Sequence, residues 1–160
     1  SPRHAEAKKI GGLLQKALAH TRGLARGLHP VAPEQGGFAK ALETLAAQSG
    51  ELFRVKCLFE CEDAPPIDDE AISTHLYRIA QEALNNVFKH AKASQAVVTL
   101  RLGETVRLTI ADDGAGFDPS TVTADHLGVK IMRERAEAIN AKFSIYSEPG
   151  EGTQISVIWS

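Results

Sequence analysis

The sequence has little cysteine, no excess of charge of either sign and no long apolar run. It contains 18 Lys and Arg against 20 Asp and Glu, which gives a formal net charge of -2. A chain without a basic excess has no general attraction to nucleic acid or to anionic membranes, so we expect no nucleic acid partner. No apolar stretch approaches the roughly 20 residues that a membrane-spanning helix needs. Any binding of phosphate must therefore come from individually placed groups.

The cysteines do not form a recognisable metal or disulfide site. Cys57 and Cys61 are the only two, and they lie four residues apart in a stretch that is typical of a strand. On a strand they share a side but are too far apart for a disulfide. No second Cys or His pair with zinc-like spacing accompanies them. We expect two reduced cysteines in a cytoplasmic domain.

The length of 160 residues fits one domain with a short appendage. Residues 5–28 have the apolar spacing of an amphipathic helix, which Pro30 and Pro33 end. We expect residues 1–33 to form a helical arm that packs against another helix, and residues 34–160 to form the compact domain. The chain opens on Ser1-Pro2-Arg3 without an initiator Met, which indicates a piece of a longer protein.

The rest of the sequence alternates predicted helices and strands. Helices are predicted at about 38–48, 68–92 and 127–140, and strands at 52–59, 96–102, 106–111, 142–147 and 152–159. From the first strand onward the order is β-α-β-β-α-β-β, and the helices are amphipathic. This order predicts an α/β fold, a two-layer α/β sandwich of one mixed sheet with helices on one face, preceded by the N-terminal helical arm.

The helix predicted at 68–92 has an unusually polar face. Arg78, Glu82, Asn86 and Lys89 are spaced at i, i+4, i+8 and i+11, so they share one side of a helix. The opposite side carries an apolar stripe: Ile72, Leu76, Ile79, Ala83, Val87 and Ala91. A carboxylate, an amide and a cation on one face suit a divalent metal and the phosphates that it carries.

Glycine-containing turns follow this helix in the sequence. The strand at 106–111 leads into Asp112-Asp113-Gly114-Ala115-Gly116-Phe117, where glycines permit positive φ and a close approach to a ligand. Asp112 suits an exocyclic amine such as that of adenine, although the motif alone also fits an ordinary loop or a weak calcium turn. Gly128 begins the next helix, where free amides favour phosphate. Gly150-Glu151-Gly152-Thr153 is either a second ligand-contacting turn or a plain hairpin turn.

In this order the motifs resemble the Bergerat-type ATPase fold, the superfamily of gyrase, the large heat-shock chaperone, histidine kinases and the mismatch-repair ATPases. The resemblance covers about residues 38–159 and rests on Gln81-Glu82-x-x-x-Asn86-x-x-Lys89-His90, Asp112-x-Gly114-x-Gly116-Phe117, Leu127-Gly128-x-x-x-Met132-Arg133-Glu134-Arg135 and Gly150-x-Gly152-Thr153. The run at 132–135 and the Lys-His ending resemble sensor histidine kinases of the nitrate-sensor and degradation-sensor type. Residues 24–30 resemble the end of that family's second dimerisation helix.

The resemblance implies a role for each motif residue. Asn86 would bind Mg²⁺, and Glu82 would orient or deprotonate the attacking nucleophile, so these two are the implied catalytic residues. The other implied contacts with ATP are Lys89 and His90 at the phosphates, Asp112 at the adenine amino group, Gly114 and Gly116 around the pocket, Phe117 at the start of a lid that ends at His126, Gly128 and Val129 at its far hinge, and Thr153 beneath the base.

The implied activity is transfer of the γ-phosphoryl group of Mg-ATP to a histidine. The family's phosphoacceptor His, which Asp or Glu follows on the first dimerisation helix, has no counterpart in this sequence. His4 precedes Ala5-Glu6, and His20 and His29 lie on what resembles the second dimerisation helix, with His29 before a proline. The implied partners are ATP, a phosphoacceptor helical domain of the same or a partner protomer, and a response regulator. The implied parent protein is a homodimer tethered to the membrane, with this part in the cytoplasm.

Two departures from the family pattern keep alternatives open. Asp113 stands where the family more often has Asn, and Val129-Lys130-Ile131 replaces the usual leucine and glycine after Gly128, which leaves the lid hinge less backbone freedom. One alternative is a serine kinase of the anti-sigma-factor type or a hydrolysing ATPase, which the helical arm and the run at 132–135 disfavour. The other is a nucleotide-sensing or scaffold domain without transfer, which Glu82 and Asn86 disfavour.

Overall fold

The structure is a computed structural model that describes residues 37–62, 67–118, 120 and 127–160. All of these residues lie in one of the two compact units into which the chain divides, Val31–Ser160. The arm predicted over residues 1–33 and most of the lid predicted between 117 and 126 lie outside the described residues.

The described part contains helices packed against a single mixed sheet. In chain order its elements are α1 (Gly37–Phe53), β1 (Lys56–Glu62), α2 (Glu70–Asn86), a π-helix (Val87–Ala91), β2 (Gln95–Leu102), β3 (Val106–Asp112), α3 (Leu127–Ala138), β4 (Lys142–Ser147) and β5 (Thr153–Trp159). The strand order is β1-β2-β3-β5-β4. β1 and β2 are parallel, and the other neighbouring strands are antiparallel. The predicted order of elements and the mixed sheet are confirmed.

One face of the sheet forms the core. Val98 pairs with Ile110, and Ile110 pairs with Ile155. Because directly paired residues point to the same face, these buried side chains form a continuous apolar row. The opposite parity includes polar pairs, such as Thr99 with Thr109 and Arg101 with Arg107. The helices cover the apolar face with a second set of buried side chains: Leu42, Leu76, Ile79, Ala83, Met132 and Ala136. The two-layer sandwich is therefore confirmed.

The end of α1 differs from the prediction. A pair such as Ser49-Gly50 is typical of a helix end, but the helix predicted at 38–48 continues to Phe53 and ends where Arg54 adopts a left-handed φ of 55°. Gly50 serves a different purpose, since a Cβ there would lie 2.8 Å from the carbonyl oxygen of Val55. The small residue makes room for the chain to turn back, and β1 begins at Lys56 instead of residue 52.

Helix α2 begins with a side-chain cap. The Asp69 carboxylate accepts hydrogen bonds from the backbone amides of Ala71 and Ile72 at 2.9 and 3.3 Å, which satisfies two amides that a helix start leaves free. Of the predicted apolar stripe, Leu76, Ile79, Ala83 and Val87 are buried and Ile72 is half-buried, while the side chain of Ala91 lies outside the described residues. Ala80 and Leu84 are buried as well. The buried face of α2 is therefore wider than the sequence spacing predicts.

The π-helix is the element that the sequence did not predict. The helix expected at 68–92 is α-helical only to Asn86, then widens over Val87–Ala91 and ends at Lys92 with a φ of 50°. The ring of Phe88 in the π-helix stacks on Phe53 at the end of α1, with ring centroids 4.3 Å apart. Phe53 is 41% exposed. None of the described helices is long and apolar enough to cross a membrane.

Candidate functional site

Three polar residues form a line across one end of the sheet. Asp112 at the end of β3 pairs with Thr153 at the start of β5, and Thr153 pairs with Ser147 at the end of β4. Their positions have the same parity as Ile110 and Ile155, so their side chains lie on the core face. At this end the core face is therefore polar where the rest of it is apolar.

Asp112 is a half-buried carboxylate held by backbone amides. The amide of Gly114 donates to its Oδ1 at 2.8 Å. Burial raises the pKa of Asp112 above its ordinary value, and hydrogen bonds from the backbone of Gly114 and Thr153 act in the opposite direction. A carboxylate fixed in this way keeps lone pairs for the N–H group of a ligand.

Ser147 connects the two glycine-containing turns, and the sequence analysis missed it. It is one of two buried polar side chains in the described part of the chain. Its Oγ accepts from the amide of Phe117 at 2.9 Å, donates to the carbonyl of Gly152 at 3.0 Å and lies 2.8 Å from the Oγ1 of Thr153. A serine that directly precedes a turn carries no special sequence signal, so only the sheet register shows this role.

The two turns pack directly on each other. Gly116 and Gly152 have φ angles of 65° and 78°. A Cβ on Gly116 would run into the carbonyl oxygen of Glu148, and a Cβ on Gly152 would run into that of Asp112. The amide of Gly150 donates to the carbonyl of Ala115 at 2.6 Å. Gly116 therefore shapes this region by letting two backbones meet, while Gly114 is buried beside Asp112.

The polar face of α2 meets the first turn of α3. A Cβ on Gly128 would lie 2.5 Å from Oε1 of Glu82 and 3.2 Å from both Oδ1 and Nδ2 of Asn86. The structure thus brings together three residues that the sequence analysis assigned to the site. The start of α3, where a helix leaves backbone amides free of intrahelical partners and its dipole end is positive, lies next to a carboxylate and an amide.

The other residues predicted to contact the phosphates do not join the group of Glu82, Asn86 and Gly128 as directly. Lys89 is exposed on the π-helix that directly follows Asn86. The wider turn changes the helical phase after Asn86, so Lys89 does not continue the α-helical face of Glu82. The side chain of His90 lies outside the described residues. Val129 is buried in the core, so the unusual segment at 129–131 contributes to the packing of α3.

Asp113 has a structural role distinct from that of its neighbour. Its carboxylate accepts from the amides of Ser94 and Gln95 at 2.9 and 3.0 Å and from the hydroxyl of Ser94. These bonds, led by that of the Ser94 hydroxyl, lower the pKa of Asp113. The exposed carboxylate therefore fastens the loop after β3 to the start of β2.

Arg135 of α3 lies near the polar face of α2 as well. Burial lowers its pKa, and the nearby Arg78 lowers it further, whereas Glu82 raises it. The Nε of Arg78 is buried without a hydrogen-bond partner in the part of the chain that the structure describes. Glu82 is therefore the anionic neighbour of a cationic group on α3.

The polar residues at the end of the sheet and those between α2 and α3 lie on elements that match a known family. Residues 71–160 match the family described as "Histidine kinase-, DNA gyrase B-, and HSP90-like ATPase". The chain belongs to this family. The elements from α2 to β5 form its ATPase domain, and the predicted resemblance is confirmed.

The curated relatives of this ATPase domain are sensor kinases. It is 40% identical over 147 residues to the sensor histidine kinase LiaS of Bacillus subtilis, an alignment that covers 89% of this chain and 39% of that protein. It is 30% identical over 122 residues to the nitrate/nitrite sensor protein NarX of Escherichia coli K12, covering 76% of this chain and 20% of that protein. The chain thus spans about two fifths of LiaS and less of NarX. It is an ATP-binding catalytic domain of the sensor histidine kinase type.

Solved structures share its fold. The histidine kinase domain of the blue-light activated histidine kinase of Erythrobacter litoralis EL346 aligns with a TM-score of 0.63 and 21% identity, over 77% of this chain and 60% of that chain. Full-length ShkA in complex with AMPPNP aligns with a TM-score of 0.65 and 19% identity, over 82% of this chain and 30% of that chain.

Proposed function

We propose that this domain binds Mg-ATP between α2 and the turn at 112–117 and supplies the γ-phosphoryl group to a histidine. That histidine belongs to a helical domain outside this chain, in the same or a partner protomer, and it passes the phosphoryl group to a response regulator. The observation that carries the proposal is the contact of Gly128 with Glu82 and Asn86. Through this contact the carboxylate of Glu82, the side-chain amide of Asn86 and the first backbone amides of α3 lie together on the side of α2 that faces α3.

The base would be recognised by Asp112. Its half-buried carboxylate already accepts from backbone amides, and its remaining lone pairs suit the adenine amino group. Gly114 and Gly116 border this part of the site, and Phe117 begins the segment that would cover the triphosphate. Thr153 lies beside Asp112 in the sheet register, so its hydroxyl is available to the same edge of the base.

The residues present fit a magnesium ion that arrives with phosphates. The described residues contain no group of three or more His, Cys, Asp or Glu side chains that could hold a metal by itself. Mg²⁺ usually takes only one or two protein oxygens together with waters and phosphates, and Asn86 with the neighbouring Glu82 offers that donor set. When bound, the ion would neutralise charge on the phosphates. The backbone amides of Gly128 and Val129 would supply further phosphate contacts, and so would Lys89 and His90.

Glu82 would act on the incoming histidine. Its carboxylate can accept a proton from the imidazole or hold the ring by a hydrogen bond, so that the attacking nitrogen faces the phosphoryl group. Phosphoryl transfer needs mainly positioning and charge neutralisation, which these groups provide without a nucleophile on this chain.

The names of the relatives support a proposal about the parent protein. LiaS and NarX are named as sensor proteins, and ShkA was solved with an ATP analogue. We infer a homodimeric parent that is anchored in the membrane, with this domain in the cytoplasm.

Two adjacent carboxylates provide a matched test of the base end. Asp112→Asn keeps an acceptor for the amide of Gly114 but places an N–H donor near the adenine amino group. We expect its affinity for ATP to fall by about 10- to 100-fold, the cost of one charged hydrogen bond. Asp113→Asn should keep normal ATP affinity and lower thermal stability, because its partners are Ser94 and Gln95. Calorimetric titration with Mg-ATP measures the affinity of each variant, and thermal denaturation measures its stability. Normal affinity in Asp112→Asn would show that the base site is elsewhere.

The phosphate end has its own test. Asn86→Ala should raise the Mg²⁺ concentration needed for half-maximal ATP binding, with little change in thermal stability because Asn86 is half-buried. Glu82→Gln should retain ATP binding and lose transfer to a separately added histidine-bearing helical domain. A phosphoserine product, or undiminished transfer by Glu82→Gln, would contradict the proposed reaction.

A further inference from the structure

The hydroxyl of Ser147 has three hydrogen-bond partners but a single proton. The carbonyl oxygen of Gly152 can only accept, so the proton of Ser147 must go there, over 3.0 Å. The amide of Phe117 can only donate, and it uses one lone pair of the Ser147 oxygen over 2.9 Å. The remaining contact, 2.8 Å from the hydroxyl oxygen of Thr153, can be a hydrogen bond only if Thr153 donates.

The direction of this bond determines what Thr153 can offer to a ligand. With its proton directed at Ser147, Thr153 keeps only lone pairs for anything else. Asp112 is the next residue in the same row, paired with Thr153 across β3 and β5, and a carboxylate also offers only lone pairs. The two side chains at this end of the sheet therefore both present hydrogen-bond acceptors.

We propose that Ser147 is a positioning residue that sets base specificity by holding the Thr153 hydroxyl as an acceptor. The site then favours a purine with an amino group at position 6, which donates, over a purine with an oxo group, whose oxygen would face two acceptors. This inference rests on the proposed binding of the nucleotide base at Asp112. It assigns Ser147 an effect on which nucleotide binds, in addition to its part in holding the turns together.

The test compares ATP with inosine triphosphate, which carries an oxo group in place of the amino group. Calorimetric titration with Mg²⁺ gives the ratio of the two dissociation constants. We expect the unaltered domain to favour ATP by at least about tenfold, as expected for a polar group left unpaired. Ser147→Ala should reduce this ratio, mainly by improving the affinity for inosine triphosphate, because the freed Thr153 hydroxyl can rotate and donate to the oxo group.

Two further variants separate this effect from a loss of stability. Thr153→Val should also reduce the ratio, and Ser147→Ala combined with it should add nothing, since Ser147 acts through Thr153. Ser73→Ala is the matched control. Ser73 is the other buried polar side chain among the described residues, and its hydroxyl donates to the carbonyl of Asp69 at 3.1 Å, on the first turn of α2. It should leave the ratio unchanged.

The inference and the proposed function fail in different ways. If Asp112→Asn lowers ATP affinity but Ser147→Ala and Thr153→Val leave the ratio unchanged, the base binds as proposed and the inference is wrong. Equal weakening of both nucleotides by Ser147→Ala would show a purely structural role and would also overturn it. If Asp112→Asn has normal ATP affinity, the proposed base site itself fails. Should Ser147→Ala not fold, the ratio measured for Thr153→Val decides.

Discussion

Gly128→Ala should separate catalysis from stability in this domain. Gly128 is the second residue of α3, and its φ is outside the left-handed region, so the backbone accepts alanine without strain. Alanine is favoured over glycine inside a helix by about 0.5–1 kcal/mol. The added Cβ, however, would lie 2.5 Å from Oε1 of Glu82 and 3.2 Å from the end of Asn86.

The added methyl group should displace Glu82 and so lower the rate of transfer. Oε1 is the tip of a flexible side chain, so Glu82 can retreat by about 1 Å to an ordinary contact distance, and a displacement of that size can cost about 100-fold in rate. Asn86 must yield by a few tenths of an ångström at most. The net change in stability should stay within about 1 kcal/mol, which is about 4 °C or less in melting temperature.

The assay combines thermal denaturation with transfer to a separately added histidine-bearing helical domain. Gly128→Ala should lower kcat far more than it changes ATP affinity, because Asp112 lies on another element. Gly103→Ala is the control, since a Cβ there has nothing within 4 Å, and it should change neither quantity. The reasoning is refuted if Gly128→Ala transfers at the normal rate, or if it unfolds the domain.

Three other predictions concern pH, thiols and the ring stack. Burial raises the pKa of Asp112, so ATP affinity should weaken as pH falls toward that raised value. The effect on stability has the opposite sign. The stability that this carboxyl contributes is complete below its pKa in the unfolded state, and it is lost as pH rises through its pKa in the folded state. ATP affinity measured by calorimetric titration over a series of pH values should weaken at low pH in the unaltered domain, and Asp112→Asn should lack this dependence. Burial also raises the pKa of Cys57 to about 11, so iodoacetamide at neutral pH should label the exposed Cys61 first, and equal labelling in a mass spectrum would contradict the burial. Phe53→Ala removes the stack on Phe88, worth about 1 kcal/mol, and should lower the melting temperature by about 2–4 °C; an unchanged value by calorimetry would show that the stack adds nothing.

The sequence predicted the order of elements well because periodicity is a local property. Alternating apolar residues on β2 and β3, and the stripe on α2, follow directly from side chains that repeat every two or about 3.6 positions. The boundaries were less certain where a tertiary contact overrides a local signal. Gly50 looked like a helix stop but allows the backbone at Val55 to approach, and the helix continues to Phe53.

The π-helix could not be predicted from spacing. The face of α2 was extended through Lys89 on the assumption of 3.6 residues per turn, but the turn widens after Asn86. Phe88 of the π-helix stacks on Phe53, more than thirty residues earlier in the chain. A pattern read within one segment contains no information about such a contact.

The sequence alone determined the fold class, the family and the candidate residues Glu82, Asn86 and Asp112, because side-chain chemistry and local periodicity are written in the order of residues. Only the tertiary structure decided that Gly128 lies against α2 and that Ser147 connects Phe117 to Thr153. Those contacts depend on strand register and helix packing, which bring together residues 30 positions apart, as for Phe117 and Ser147. They are set by which surfaces are buried against each other, and no single stretch of the chain specifies that.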